Sequence, residues 1–386
     1  MKKILLAMFC SAMMTAVFAD VPAPKQAVKK DIPIEQLDRY MQRRKINIEN
    51  LVWHDPRNGK FKVEGLYWFE KEKRYHRFPA EAEKTVPAKV MKLAGCTAGG
   101  QIRFRTNSKR IILAVRNTSA SGGATMAPTG RSGFDLYLGT PGKEMFWNSG
   151  RPVTGSAEWM DEIFSSRQSE MREFRLNFPL YNGVESLLIA LDKDAEILPP
   201  APLADERPIV IYGTSITQGG CASRPGSAFT NRLSRMLQME FLNYGFSGNG
   251  NNQASVAKII AQVKNPAMII IDSEANSVSV ATAQERLPVF LDILRAAHPT
   301  VPMVIVTKVT YGPRYGIGTP ALKKVFQDVY EKRRAAGDKN LYFIDGSEFW
   351  TEDFHENTVD GAHPTDLGFK QMADKMYPQL KKILNK

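Results

Sequence analysis

Two stretches of the sequence carry side chains that together could attack an acyl group. "YGTSITQGG", residues 212–220, places Ser215 among small residues directly after an apolar run, 208–212. "TVDGAHPTDLG", residues 358–368, places Asp360 three positions before His363. A serine hydroxyl is a weak nucleophile until a base takes its proton, and an imidazole base needs a third group to orient it. An Asp-x-x-His turn can set a carboxylate on one ring nitrogen and leave the other facing a cleft. Each stretch also has a plain structural reading. Strands commonly end in turns rich in Gly, Ser and Thr, and Thr365 or Asp366 could simply cap a helix behind Pro364. Of the other histidines, His54 and His76 lie in the first half, His298 ends a helical pattern, and His355 precedes acids in a loop.

Acyl transfer also needs donors for a developing oxyanion. "FSGNG", 246–250, offers backbone N–H groups freed by glycine, with Gly248 at its centre. "SEANS", 273–277, holds Asn276, whose side-chain amide could add a further donor; Asn249, Asn251 and Asn252 compete for that role. Arg224 and Asn249 flank these blocks and are candidates for binding substrate. Arg224 could equally pair with an acid across a domain interface.

These residues need a frame that brings them together. From about residue 205, apolar runs alternate with amphipathic ones: strands near 209–212, 241–244, "AMIIID", "MVIVTKV" and "LYFID", and helices near 227–239, 254–263, 281–297, 319–336 and 365–383. Strands that are apolar on both faces and alternate with helices imply a doubly wound parallel sheet. Such sheets bind ligands at the carboxyl ends of their strands, where the Ser, Gly and Asn blocks fall. Upstream, residues 48–200 read as short strands with Gly and Pro turns, a β-sandwich of jelly-roll-like type. "GFDLYLGTPGKEMFW" is a hairpin there, and 116–132 is a long small-residue loop of the kind that often carries function. "LPPAPLADERP", 198–208, is the linker.

The order Ser, Gly, Asn, Asp-x-x-His resembles the SGNH/GDSL hydrolases, a family of esterases and acylhydrolases. Together with "GFDLY", 133–137, it resembles the bacterial two-domain branch whose N-terminal β domain carries a Gly-x-Asp-Leu-Tyr signature. The resemblance implies an α/β hydrolase domain over 205–386. It implies Ser215 as nucleophile, His363 and Asp360 as its partners, and an oxyanion hole of Ser215, Gly248 and Asn276. Thr214 and Ile216 depart from the Asp and Leu of the family name, and "SEANS" lacks the usual Gly-x-Asn-Asp form.

Composition bounds the rest. The 386 residues, 43% hydrophobic and 24% charged, fit two globular domains. "MKKILLAMFCSAMMTAVFAD" has the charged start, apolar centre and small-residue end of a secretory signal over 1–19, so export to the periplasm or beyond is expected. Residues 20–47 read as an extended segment. The apolar run is short for a stable membrane span. Cys96 and Cys221 would remain after cleavage, two buried thiols rather than a framework. No CxxC or His-rich cluster indicates a metal, and no metal or organic cofactor is expected. The net charge of +12 is scattered rather than gathered in a stripe, which argues against nucleic acid as a partner. The expected partner is an acylated carbohydrate or a small ester: the blocks around Ser215 and Gly248 are polar or tiny, which suits a short acyl group. A lipid-directed acylhydrolase and a non-catalytic glycan-binding protein are the rivals.

Overall fold

Among the described residues, ten short strands build the first half of the chain. They are β1 (Leu51–His54), β2 (Lys62–Glu64), β3 (Gln101–Thr106), β4 (Arg110–Asn117), β5 (Asp135–Leu138), β6 (Met145–Ser149), β7 (Glu158–Ser165), β8 (Arg172–Asn177), β9 (Val184–Asp192) and β10 (Ile197–Leu198). One antiparallel sheet runs β1-β9-β4-β7; the other runs β10-β3-β8-β5-β6, with β2 beside β3. Phe104, Phe174 and Leu176 of one sheet pack against Leu113, Ile163 and Ile189 of the other. This is the β-sandwich. The strands flanking the Asn107-Ser108 turn do not pair with each other: β3 and β4 lie in facing sheets, so that turn crosses the sandwich. The expected hairpin is present, with β5 antiparallel to β6. The computed structural model describes residues 45–309, 320–350 and 354–385. The expected export signal, and all but the end of the segment 20–47, lie outside the described residues.

The second half is a five-stranded sheet: β11 (Asp205–Gly213), β12 (Met239–Gly245), β13 (Met268–Asp272), β14 (Met303–Val306) and β15 (Leu341–Ile344). The order is β12-β11-β13-β14-β15, all parallel. Alternate residues of each strand face opposite layers. Val210, Leu242, Ile269 and Ile305 meet helices Ala254–Ile260, Val280–Ala297 and Pro320–Ala335. Ile211, Phe241, Ile270 and Val304 meet helices Phe229–Leu237 and Asp366–Ile383. Each such fully buried aliphatic side chain stabilises by roughly 1.5–3 kcal/mol. The order reverses at β11, because the chain steps first to β12 on one side and then to β13 on the other. That switch point is where the carboxyl ends open a crevice. Among the described residues no helix is long and apolar enough to cross a membrane.

The two halves are knit together by buried polar side chains. Arg77 is fully buried and donates to four carbonyls: Leu93 O (2.6 Å) and Cys96 O (2.7 Å) on its own side, Asn243 O (3.0 Å) and Gly245 O (2.6 Å) at the end of β12. Burial pushes its guanidinium down to about 10. Asp135 of the "GFDLY" stretch accepts from Arg224 Nη1 (2.9 Å) and from the Gly226 amide (2.8 Å), both beyond the linker. Arg175 on β8 reaches Ser234 of helix Phe229–Leu237 at 3.3 Å.

Candidate active site

Ser215 stands on the first turn after β11. Thr214 caps the short helix Ser215–Gln218: its Oγ1 accepts from the Ile216 amide (3.3 Å), while its own amide donates to Thr217 Oγ1 (2.9 Å). Thr217 in turn donates to Asp272 Oδ2 (2.7 Å) at the end of β13. Burial pushes the Asp272 carboxyl up to about 7, against the opposing Thr217 bond. The turn is thus fastened to the neighbouring strand by a chain of two hydrogen bonds. Threonine does here what the Asp of the family name could do, since both are good N-caps.

His363 precedes the last helix and Thr365 caps it, accepting from the Gly368 amide. The helix-cap reading of that stretch is therefore seen directly. His363 Nε2 lies 2.9 Å from Ser215 Oγ, and Nδ1 lies 2.8 Å from Asp360 Oδ2. Asp360 Oδ1 also accepts the backbone amides of His363 (2.8 Å) and Ala362 (3.0 Å). Burial alone would raise this carboxyl; the bonds from His363 and Ala362 outweigh it and hold the group below the usual aspartate range. With Nδ1 donating to an ionised Asp360, Nε2 is left free to accept a proton from Ser215.

The glycine block after β12 folds over the same turn. Gly248 has φ +66°, a conformation suited to glycine, and lies open to solvent. Gly250 lies so close to β11 that an added Cβ would stand 2.1 Å from Gly213 O. Asn276, in the turn after β13, accepts from the Gly250 amide through Oδ1 (3.2 Å), which leaves its amide nitrogen to donate elsewhere. The competing asparagines are engaged in holding the loop. Asn249 donates to Ser247 O (2.8 Å), Asn252 Oδ1 accepts from Ser273 (2.8 Å), and Asn251 Oδ1 faces Arg286 at 3.4 Å. Asn276→Ala is expected to lower kcat roughly a hundredfold or more with KM little changed, the scale for one oxyanion donor. Steady-state kinetics check this; an unchanged kcat would move the donor to the 249–252 loop.

Arg224 and Asn249, the two expected substrate-binding residues, both make hydrogen bonds within the protein. Arg224 is spent on the domain interface, bonded to Asp135 and to Tyr137 Oη (2.6 Å) and lying 3.9 Å from the Phe146 ring centroid. The Asn249 side chain folds back onto its own turn.

Sequence reading missed Tyr181. This β-domain residue donates from its hydroxyl to Ser215 O (3.0 Å) and lies near the Ser247 side chain. One phenol thus sits between the nucleophile turn and the glycine block. The long loop 116–132 also reaches this region: Thr129 Oγ1 donates to Ser223 O (2.6 Å), and Met126 packs in a cluster with Ile216 and Ala222. Cys96 and Cys221 are both free and half-buried.

With this geometry in place, comparison with known proteins is specific. Residues 206–381 match the GDSL-like Lipase/Acylhydrolase family, and residues 51–197 match GxDLY, the N-terminus of Esterase_SGNH_hydro-type. A crystal structure of a candidate GDSL-like lipase from Bacteroides ovatus is 32% identical, covering 87% of this chain and 98% of that one, with a TM-score of 0.80. The chain belongs to the GDSL-like lipase/acylhydrolase family and carries the GxDLY domain of its SGNH esterase type. The fold is shared more distantly with a salicylyl-acyltransferase from a tetracycline biosynthetic pathway, at 17% identity, 87% and 98% coverage and a TM-score of 0.70. It is shared also with a family two carbohydrate esterase from Clostridium thermocellum, at 13% identity, 75% and 93% coverage and a TM-score of 0.56. No curated protein matches the chain by sequence.

Proposed function

We propose that this chain is an exported serine esterase that removes short, acetyl-type acyl groups from carbohydrate. The observation that carries the esterase reading is the unbroken chain Ser215 Oγ, His363 Nε2, His363 Nδ1, Asp360 Oδ2, with spacings of 2.9 and 2.8 Å. In this reading Ser215 attacks the ester carbonyl as His363 takes its proton. Asp360 holds the imidazole tautomer and stabilises the charged ring. The Ser215 and Gly248 amides and the Asn276 side chain hold the oxyanion. His363 then protonates the departing alcohol, activates water, and the acyl-enzyme is hydrolysed.

The acyl preference rests on the walls. Ser247, Asn249 and Asn251 on the glycine block are polar and partly exposed, where a long acyl chain would need a continuous apolar lining. The carbohydrate reading is supported by the signal-like N-terminus and by the fold shared with the carbohydrate esterase. The expected result with p-nitrophenyl esters is a kcat/KM that is highest for acetate and falls by butyrate or hexanoate. A maximum at octanoate would favour a lipid-directed acylhydrolase. Acetate release from a panel of acetylated polysaccharides then identifies the carrier, and failure to cleave any ester would favour a glycan-binding role.

A further inference from the structure

The fold assembles a ligand set that the sequence keeps apart. Cys221, Asp360 and His363 each offer a donor atom, and the three atoms lie within 4.8 Å of one another. We propose that these three side chains form an inhibitory site for a soft divalent cation such as Zn2+.

Several observations build the site. Cys221 closes the turn behind the nucleophile with φ +73°, an uncommon conformation for a residue other than glycine. The turn is pinned by the Gly220 amide on Ser215 O (2.8 Å) and the Ala222 amide on Gly219 O (3.2 Å). Thr125, from the β-domain loop, lies beside the Cys221 side chain. Asp360 Oδ1 is held by two amides, while Oδ2 faces His363 Nδ1 at 2.8 Å. All three residues are half-buried, so an ion can reach them from solvent. One thiolate, one imidazole and one carboxylate is a donor set that suits zinc, with water in the fourth position. Zinc takes sulfur at about 2.3 Å and nitrogen or oxygen at about 2.0–2.2 Å. Donors now within 4.8 Å therefore need only a modest approach to close on it.

The proton balance explains why binding would inhibit. The ion takes the place of the proton between Nδ1 and Oδ2. That proton passes to Nε2, which now donates toward Ser215 Oγ instead of accepting from it. One proton leaves to solvent, from the Cys221 thiol, which the metal deprotonates on binding. Zn2+, thiolate, carboxylate and neutral imidazole sum to zero charge. The imidazole is intact but is no longer a base. Loss of activity rests on the serine esterase reading above; cation binding does not.

Two measurements on the full chain separate the claims. Co2+ serves as an optical probe, because a cobalt–thiolate bond gives a near-ultraviolet charge-transfer band. The band is expected in the wild type and in Cys96→Ser, and absent in Cys221→Ser. Zn2+ is then titrated against p-nitrophenyl acetate hydrolysis. Inhibition is expected to be reversed by EDTA. It should need roughly tenfold more Zn2+ or beyond in Cys221→Ser, since even outer-sphere partners of a metal cost about that much affinity, while that variant's metal-free rate stays near wild type. Cys221→Ala replaces Cys221→Ser if the latter does not fold. Absence of the cobalt band in the wild type overturns the site, as does equal zinc sensitivity in the Cys221 variants. A Cys221-dependent band in a protein that cleaves no ester would keep the cation site and overturn the esterase reading.

Discussion

Ser215→Ala leaves a folded protein with essentially no esterase activity. The fold should survive because the turn does not depend on this hydroxyl. Thr214, Thr217 and Asp272 fasten it, and the Ser215 carbonyl keeps its bonds from Tyr181 and the Gly220 amide. The activity should not survive because, among the described residues, Ser215 supplies the hydroxyl that lies on His363 Nε2. The loss in kcat is expected to be on the order of a millionfold, the scale for removing the nucleophile of a triad. His363→Ala should cost about as much, since residues that act as a unit are not additive. Asp360→Asn should cost less if Ser215 and His363 work partly as a dyad. Circular dichroism checks the fold, and an organophosphonate should label Ser215 alone. A label on another serine would move the nucleophile.

The reactive residues were legible because their chemistry is written locally. Ser215 ends an apolar strand in a small-residue turn, and Asp360 and His363 sit three apart in another. The parallel sheet was legible for a similar reason: each strand is an unbroken apolar run, as burial on both faces requires. What was not legible is whatever depends on partners far apart in the chain. Tyr181 looks like an ordinary residue in a β-domain turn; its role comes from Ser215 and Ser247, which belong to the other domain. Asp272 reads as the polar end of a strand until Thr217 is found on it. Arg224 has two readings in the sequence, and the interface pairing becomes visible only with the position of Asp135. Cys221 has neither histidine nor acid near it in sequence, and the fold alone brings Asp360 and His363 to it. The "GFDLY" stretch was recognisable as a signature, but its physical purpose was not. Asp135 and Tyr137 clamp Arg224, and Arg235 lies 4.0 Å from the Tyr137 ring centroid.

A fragment beginning at residue 205 is expected to be insoluble, or soluble and nearly inactive. Cutting there removes the donor of the Arg77 bonds and strands two buried carbonyls, Asn243 O and Gly245 O, just before the glycine block. Each carbonyl left without a partner costs about 1–3 kcal/mol if it stays buried. The cut also strips Phe78 from Tyr244 and Phe246, and Met126 and Leu180 from the cluster around Ile216, so apolar surface opens beside the site. Finally it removes Tyr181, whose hydroxyl donates to Ser215 O beside Ser247. The full chain carrying Tyr181→Phe isolates this last effect. It loses only a neutral hydrogen bond, net about 0.5–1.5 kcal/mol, so it should fold. If this bond sets the spacing of the Ser215 and Gly248 amides, kcat should fall by roughly tenfold at unchanged KM, which 1.4 kcal/mol of transition-state stabilisation corresponds to. Tyr181→Phe with full kcat and lowered thermal stability would make the phenol a structural bond only. A soluble fragment from 205 with the kcat of the whole chain would overturn the larger claim, and the β-sandwich would then be a separate module rather than part of the active site.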